Sequence, residues 1–231
     1  MKALALTAVS AALVAAGSAG GAAQKGAQTC EPGTHMLRLG SPRPARMRVT
    51  PGGRNGRKAL VVVLHGAGGS ADDGLRAFAS WNARGLVLVA PASRGTTWSA
   101  LRGSDADLAT VNAALARAYA RCRIDQKRIA VGGFSDGGTY ALSLGLASGD
   151  LFRSVIAFSP GGIVGGGQAG RPRFFVSHGT RDPILPIGRA SNAIVRQLRS
   201  AGYPVTYRKF SGGHEVPREI GKAAQRWFLA G

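Results

Sequence analysis

The sequence predicts an α/β domain in which helices cover both faces of a mostly parallel β-sheet. Apolar strand patterns alternate with helical patterns from residue 59 to the C-terminus, and this alternation is typical of parallel sheets. The run ALVVVLHG (59–66) is apolar almost throughout, as expected of a strand that is covered on both faces. No linker-like segment divides the rest of the chain, so residues 24–231 are expected to form a single domain.

The predicted elements follow one another in a regular order. Two short strands, HMLRL and RMRVT, precede the apolar run, and helix DDGLRAFASWNARG and strand LVLVAP follow it. A long helix is expected to begin at Ser104 as its cap, with Asp105 and Asp107 in its first turn. The remaining predicted elements are the strands RIAVGGFS, SVIAFSP, RFFVSHG and VTYRKF and the helices GGTYALSLGLAS, PIGRASNAIVRQLRSAG and EIGKAAQRWFLA.

The N-terminus has the pattern of a secretory signal peptide, which we expect to cover residues 1–23. Lys2 precedes an apolar run from Ala3 to Ala16, and small residues follow up to a cleavage site near Ala23. The run is shorter than the ~20 residues of a membrane span, so no transmembrane segment is expected. An uncleaved alanine-rich helix or a disordered tail is the alternative. The signal pattern predicts a protein that is secreted or periplasmic.

The formal net charge of +19 raises the question of a nucleic-acid partner. The sequence has no zinc-finger spacing, no RNA-binding aromatic motif and no basic helix with heptads, so no specific nucleic acid is expected. Non-specific adhesion to anionic polymers or membrane surfaces is the preferred interpretation. Two cysteines and four scattered histidines show no ligand spacing, and no metal is expected.

Cys30 and Cys122 are the only cysteines of the chain. In an oxidising compartment two cysteines tend to pair, so we expect a disulfide between them. The bond would tie the N-terminal segment to the end of the long helix that precedes the RIAVGGFS strand.

Ser135 lies in the segment GFSDG, which matches G-x-S-x-G between a predicted strand and a predicted helix. A sharp turn here strains the serine backbone, and a glycine two residues to either side leaves room for it. The turn lifts the hydroxyl above the sheet, beside a helix N-terminus whose dipole favours a developing anion. This placement indicates a nucleophilic serine rather than a turn residue.

A serine nucleophile needs a base that a third group holds in place. His214 lies in the glycine-rich loop FSGGHEVP between the last predicted strand and the last helix, where an imidazole can reach over the sheet. His65 and His178 each end a strand, where a buried shaping role is expected, and His35 has no partner motif.

The orienting acid is expected to follow a strand between the nucleophile and the base. Asp182, in the segment FFVSHGTRDPILP, satisfies this order. Asp150 is the alternative by order alone, but it lies in a helix-ending turn before its strand. The candidate catalytic residues are therefore Ser135, Asp182 and His214, in this order along the chain.

Two backbone donors are expected to form the oxyanion hole, which binds the negative oxygen of a tetrahedral intermediate. One is the N–H of Asp136, directly after the nucleophile, and the other is the N–H of Ala67 in the loop HGAGGS. Trp98 follows a strand and is a candidate substrate contact, although packing in the core or on the surface is an equal alternative.

Four segments carry a resemblance to serine esterases of the α/β-hydrolase superfamily, from about Leu60 to Phe228: VLHGAGGS, GFSDGG, FVSHGTRDPILPI and GGHEVP. The chain is most similar to the compact phospholipase/carboxylesterase group, and also resembles the secreted polyhydroxybutyrate-depolymerase-like and feruloyl-esterase-like group. Dienelactone hydrolases share the outline but use a cysteine nucleophile. The resemblance implies an α/β-hydrolase fold and ester hydrolysis without a metal or organic cofactor.

These observations predict a secreted carboxylic-ester hydrolase that works through an acyl-enzyme. A polyester depolymerase or a feruloyl-type esterase is the nearest alternative. A prolyl-oligopeptidase-like peptidase is less favoured, because such enzymes usually carry an additional domain for which this chain has no length. A non-catalytic binder on the same fold would normally lack a triad or oxyanion element.

Access to the serine is predicted to be open. Only GGIVGGGQAGRPR separates the strands SVIAFSP and RFFVSHG, the interval where many lipases insert a helical cap. A glycine-rich stretch of this length forms a loop rather than a cap with a core of its own. The sequence therefore predicts no cap domain.

Overall fold

A computed structural model describes residues 30–165 and 167–231, so the predicted signal peptide, residues 1–23, lies outside the described residues. Eight strands form one sheet in the described part of the chain. Their bounds are β1 (Gly33–Leu37), β2 (Ala45–Val49), β3 (Lys58–Leu64), β4 (Leu86–Ala90), β5 (Ile124–Phe134), β6 (Ser154–Phe158), β7 (Arg173–Gly179) and β8 (Val205–Phe210).

The strands lie in the order β1-β2-β4-β3-β5-β6-β7-β8. β2 is antiparallel to both β1 and β4, and every other neighbouring pair is parallel. Leu64 at the end of β3 pairs with Gly133, and Gly133 pairs with Ala157 near the end of β6. The carboxyl ends of the three central strands therefore meet at one edge of the sheet, where reactive groups are expected in such folds.

Helices cover both faces of the sheet. The buried strand β3 shows why, since Leu60 and Val62 join the core on one face while Val61 and Val63 join the core on the other. Two of the helices, α1 and α5, pack on the Val61 side, and the other three pack on the opposite side. Their bounds are α1 (Ala71–Ala77), α2 (Leu108–Arg121), α3 (Asp136–Ala147), α4 (Ser191–Ser200) and α5 (Arg218–Leu229).

Two predicted helix boundaries are wrong. Helix α2 begins at Leu108 rather than at Ser104, because the buried carboxylate of Asp107 accepts hydrogen bonds from the backbone N–H groups of Arg94 and Ser99 instead of capping a helix. Helix α1 ends at Ala77 and does not continue to Gly85.

The early end of helix α1 has a partner on strand β2. The guanidinium of Arg48 donates to the carbonyl oxygen of Phe78 at 2.7 Å and to that of Trp81 at 3.4 Å. The carbonyl oxygen of Phe78 also accepts from the backbone N–H of Trp81 at 3.0 Å. A side chain distant in sequence therefore supports the turn that follows the early end of the helix.

Cys30 and Cys122 form a disulfide that joins the segment before β1 to the end of α2. This is the pairing that the sequence predicts. Within the described residues no helix is long and apolar enough to cross a membrane.

The connection between β6 and β7 contains no inserted domain within its described residues, 159–165 and 167–172. Side chains of helix α3 hold its first half, since the backbone N–H of Gly161 donates to Thr139 Oγ1 and that of Val164 donates to Ser143 Oγ. The α/β-hydrolase architecture without a cap is thus as predicted.

Candidate active site

Ser135 lies on the turn between strand β5 and helix α3. Its backbone has φ of +56° and ψ of −121°, a conformation that L-residues rarely adopt. Its N–H donates to the carbonyl oxygen of Phe158 on β6, and its own carbonyl accepts from the N–H of Thr139 in the first turn of α3. These bonds fix the strained turn between a strand and a helix, as predicted for a G-x-S-x-G segment.

Gly133 and Gly137 let the turn approach its neighbours closely. A Cβ on Gly137 would overlap the carbonyl oxygen of Leu64, and a Cβ on Gly133 would overlap the backbone of Gly137. A side chain at either position would push helix α3 away from strand β3. The two glycines are therefore needed to seat the serine above the end of the sheet.

The structure brings together Ser135, His214 and Asp182. Nε2 of His214 lies 2.9 Å from Oγ of Ser135, and Nδ1 of His214 lies 2.6 Å from Oδ2 of Asp182. The carboxylate accepts from Nδ1, which leaves the lone pair of Nε2 directed at the serine hydroxyl. The side chain of His214 is 15% exposed and that of Asp182 is fully buried. The imidazole is therefore partly open to solvent, whereas the carboxylate is not.

The carboxylate of Asp182 is surrounded by donors. Oδ1 accepts from the backbone N–H groups of Ile184 and Leu185, both at 2.9 Å. Burial alone would raise the pKa of Asp182, but the hydrogen bonds from Leu185, His214 and Ile184 outweigh burial and hold the pKa below its usual value. Asp182 is accordingly ionised at neutral pH and can stabilise a positive charge on His214.

The loop that carries His214 is fastened to the loop that carries Asp182. The N–H of Arg181 donates to the carbonyl oxygen of Gly212, and that of Thr180 donates to Phe210 at the end of β8. The ring of Phe134 lies against the imidazole of His214, with 4.7 Å between the centroids. Backbone bonds and one aromatic contact thus hold the imidazole over the turn after β5.

The two predicted oxyanion donors belong to the residue after the serine and to the loop HGAGGS (65–70), which approaches the serine. Gly66 lies close to Ser135, since a Cβ on Gly66 would be 3.3 Å from the serine Cβ. The loop of residues 65–70, here called the Ala67 loop, therefore lies beside the turn. The N–H groups of Ala67 and Asp136 have no acceptor among the described residues. The side chain of Asp136 accepts from the hydroxyl of Thr97, which keeps the carboxylate engaged with a neighbouring loop.

Trp98 lies in the core rather than in the cleft. Its side chain is fully buried, and its ring packs against His65 and Tyr140 at centroid distances of 4.8 and 5.3 Å. Its indole N–H donates to the carbonyl oxygen of His65 at 2.8 Å. The structure therefore gives Trp98 a packing position beneath the Ala67 loop, with no surface left for a substrate.

His65 and Arg43 also support the Ala67 loop. Nε2 of His65 accepts from the backbone N–H of Ser93 at 3.0 Å, and Nδ1 donates to the carbonyl oxygen of Gly66 at 2.7 Å. Burial is the main reason that the pKa of His65 is lowered. Arg43 donates to the carbonyl oxygens of Gly69 and Ser93, which joins two neighbouring loops. Arg43 belongs to no motif, so its role could not be predicted from the sequence.

The remaining histidines and the alternative acid have other partners. His178 is fully buried and lies 3.1 Å from Oδ2 of Asp182, a contact that the sequence analysis did not predict. His35 contacts the carbonyl oxygen of Glu31 at the edge of the sheet. Asp150 is exposed and lies beside Gly170, whereas Asp182 bonds His214. Within the described residues no cluster of His, Cys, Asp and Glu fits a metal ion.

Residues 106–227 match the sequence profile of the phospholipase/carboxylesterase family. The chain belongs to this family. It is therefore a serine hydrolase of the carboxylic-ester hydrolase class, as the sequence predicts. Comparison with curated proteins gives no match at the level of sequence.

Solved structures of esterases share the fold of this phospholipase/carboxylesterase family member. The carboxylesterase from Mesorhizobium loti is 22% identical with a TM-score of 0.64, over 84% of this chain and 98% of its own. Esterase PE8 is 23% identical with a TM-score of 0.66, over 80% of this chain and 96% of its own. The Bacillus cereus carboxylesterase is 17% identical with a TM-score of 0.61, over 80% of this chain and 94% of its own.

Proposed function

We propose that this family member is an exported carboxylesterase in which Ser135 is the nucleophile, His214 the general base and Asp182 the orienting acid. The observation that carries the proposal is the continuous series of hydrogen bonds from Asp182 Oδ2 through both ring nitrogens of His214 to Ser135 Oγ, at 2.6 and 2.9 Å. A buried carboxylate, a half-buried imidazole and a serine on a strained turn are the arrangement that activates a hydroxyl at neutral pH.

In the first half of the reaction, Oγ of Ser135 attacks the ester carbonyl carbon while Nε2 of His214 takes the hydroxyl proton. The carbonyl oxygen becomes negative and accepts hydrogen bonds from the N–H groups of Asp136 and Ala67. The intermediate then collapses, the bond to the alcohol oxygen breaks, and His214 returns the proton to the leaving alcohol. The product is an acyl group on Ser135.

In the second half, water replaces the alcohol. His214 takes a proton from the water as its oxygen attacks the acyl carbon, and the same two N–H groups stabilise the second intermediate. Collapse releases the carboxylic acid and returns the proton to Ser135. Asp182 keeps its negative charge throughout and stabilises the imidazolium that forms in each half.

The proposed export rests on two features that agree with each other. Residues 1–23 have the signal-peptide pattern, and the Cys30–Cys122 disulfide suits an oxidising compartment. We propose that the mature chain begins close to residue 24 as a single catalytic domain. Its net charge favours non-specific adhesion to anionic polymers or membrane surfaces.

The proposed substrates are short-chain or otherwise accessible esters. The loop between β6 and β7 is held by helix α3 through Gly161 and Val164, and its described residues contain no helix or strand that could form a cap. Ile184, two residues from Asp182, has 65% of its surface exposed and offers an apolar contact near the cleft. Small soluble esters and the exposed ester groups of a polymer both suit such a site.

The test is hydrolysis of p-nitrophenyl esters of increasing acyl length, beside a polyester, a feruloyl ester and a chromogenic peptide. The wild type should cleave acetate and butyrate esters fastest and leave the peptide intact. Ser135→Ala and His214→Ala should each lose several orders of magnitude in kcat. Asp182→Asn should also be severely impaired, whereas Asp150→Asn should match the wild type.

Three outcomes would contradict parts of the proposal. Activity that survives Ser135→Ala or His214→Ala would mean that the catalytic residues are wrongly assigned. Damage from Asp150→Asn rather than Asp182→Asn would mean that the wrong acid is named. Cleavage of the peptide in preference to every ester would favour the peptidase alternative.

A further inference from the structure

We propose that His178 is a positioning residue for ester hydrolysis, a neutral N–H donor that fixes the carboxylate of Asp182 and through it the base His214. The inference rests on the proposed function, because it assigns Asp182 and His214 their catalytic roles. It concerns a second histidine, which contacts the carboxylate and has no bond to Ser135 among the described residues.

The contacts of His178 point to one role. Its side chain is fully buried at the end of strand β7, and Nε2 lies 3.1 Å from Oδ2 of Asp182 and 2.8 Å from the carbonyl oxygen of Leu185. Nδ1 lies 2.6 Å from Oγ of Ser191, the first residue of helix α4. Both ring nitrogens are therefore engaged inside the protein.

These partners determine which nitrogen carries the proton. A carbonyl oxygen only accepts, so Nε2 of His178 carries the hydrogen, donates it to Leu185 and lies 3.1 Å from Oδ2 of Asp182. Nδ1 is then an acceptor, and the buried hydroxyl of Ser191 donates to it. Ser191 thereby stabilises the tautomer that presents an N–H to Asp182.

His178 acts as a dipole rather than as a cation. Burial is the largest reason that its pKa is lowered, and the charge of His214 adds to this. The carbonyl of Leu185 and the carboxylate of Asp182 act in the opposite direction but do not overcome burial. A neutral donor bonds Asp182 without cancelling the negative charge that His214 needs when it is protonated.

The carboxylate of Asp182 is fixed at both oxygens. Oδ1 is held by two backbone N–H groups, and Oδ2 lies between Nε2 of His178 and Nδ1 of His214. Contacts on both oxygens leave the carboxylate little freedom to rotate or tilt. The imidazole of His214 follows the carboxylate, and small errors in its direction lower the rate of proton transfer.

A matched pair of variants separates the hydrogen bond from the packing. His178→Gln and His178→Met introduce unbranched side chains of the same length, and only glutamine keeps an N–H donor. We expect His178→Met to lose about 10–100-fold in kcat, as is common when the partner that orients a functional histidine is removed. KM should stay within about two-fold, because His178 is buried, and His178→Gln should recover most of kcat.

The pH profile supplies a readout that a purely structural role would not change. Without the N–H of His178 beside it, the negative charge on Oδ2 of Asp182 interacts more strongly with His214 and stabilises the imidazolium more. The acid limb of kcat/KM should therefore move to higher pH in His178→Met and stay near the wild-type position in His178→Gln. Ser177→Ala is the packing control, because this neighbouring serine is buried in β7 and its hydroxyl has no partner among the described residues.

Equal losses of kcat in His178→Met and His178→Gln, with an unmoved acid limb, would overturn the inference. Thermal unfolding by circular dichroism confirms that each variant is folded at the assay temperature. Should the methionine variant be unfolded, His178→Leu and His178→Asn form a second pair matched in size. The variant Ser135→Ala separates the two proposals. Activity that survives in this variant contradicts the proposed function. If Ser135→Ala is inactive while His178→Met and His178→Gln lose equal amounts of kcat, only the present inference is contradicted.

Discussion

His65 and His178 show how one residue type serves a purpose other than proton transfer. Each ends a buried strand, and each uses both ring nitrogens to join backbone or side-chain groups near the cleft. His214 differs, because one of its nitrogens faces a serine on a partly exposed turn. The surroundings of a histidine, rather than its presence near the site, thus distinguish the proposed base from the supporting histidines.

The two buried histidines predict a loss of stability in acid. Burial lowers the pKa of both in the folded protein, whereas the unfolded chain has a histidine pKa of about 6.5. Below that value the unfolded state binds protons that the folded state does not, so the free energy of unfolding should fall as the pH decreases from 7.5 to 5.5.

Urea unfolding at the two pH values measures this difference. The decrease should be smaller in His178→Gln than in the wild type, because this variant removes one of the two buried histidines. A free energy of unfolding that stays constant or rises on acidification would show that buried neutral histidines do not dominate the pH dependence.

Among the elements, the junction of strand β5 and helix α3 was the most predictable from the sequence. The glycines at 133 and 137 and the serine between them specify a turn whose geometry follows from sterics alone. The start of α2 was not predictable, because the carboxylate of Asp107 is bound by backbone groups of a separate loop. The contact of His178 with Asp182 likewise depends on tertiary packing that periodicity does not reveal.

The β5–α3 junction gives a prediction for a single methyl group. Gly137→Ala places a Cβ against the carbonyl oxygen of Leu64, so the variant should lose about 2–3 kcal/mol in the free energy of unfolding and most of its activity. Gly162→Ala is the control, since a Cβ at Gly162 meets no atom within 4 Å. Urea unfolding and esterase assays should therefore separate the two variants, and equal effects would contradict the steric account.

The disulfide should stabilise the junction of the N-terminal segment with helix α2. Cys30 and Cys122 are 92 residues apart, and the chain-entropy model gives about 4–5 kcal/mol for a loop of this size. The double variant Cys30→Ser, Cys122→Ser should therefore unfold at lower urea concentration while its active site stays intact. Thiol titration of the unreduced wild type should find no free thiol, and two free thiols would contradict the pairing.

For the molecule as a whole, the described β6–β7 connection contains no inserted domain that could act as a lid over Ser135. The proposed open site needs no oil–water interface to displace a lid, so the rate should follow the concentration of dissolved substrate smoothly. The measurement is tributyrin hydrolysis below and above its solubility limit. A sharp rise in rate on emulsion formation, or a strong preference for long-chain triglycerides, would show that something covers Ser135.

The central claim is that Ser135 is a nucleophile activated by His214 and Asp182. The most direct measurement is labelling with a fluorophosphonate, followed by peptide mass spectrometry, in the wild type, Ser135→Ala and His214→Ala. The account predicts one phosphonyl group per chain on Ser135 in the wild type, none in Ser135→Ala, and labelling slowed by orders of magnitude in His214→Ala. Stoichiometric label on another residue, or full labelling of the Ser135→Ala variant, would contradict it.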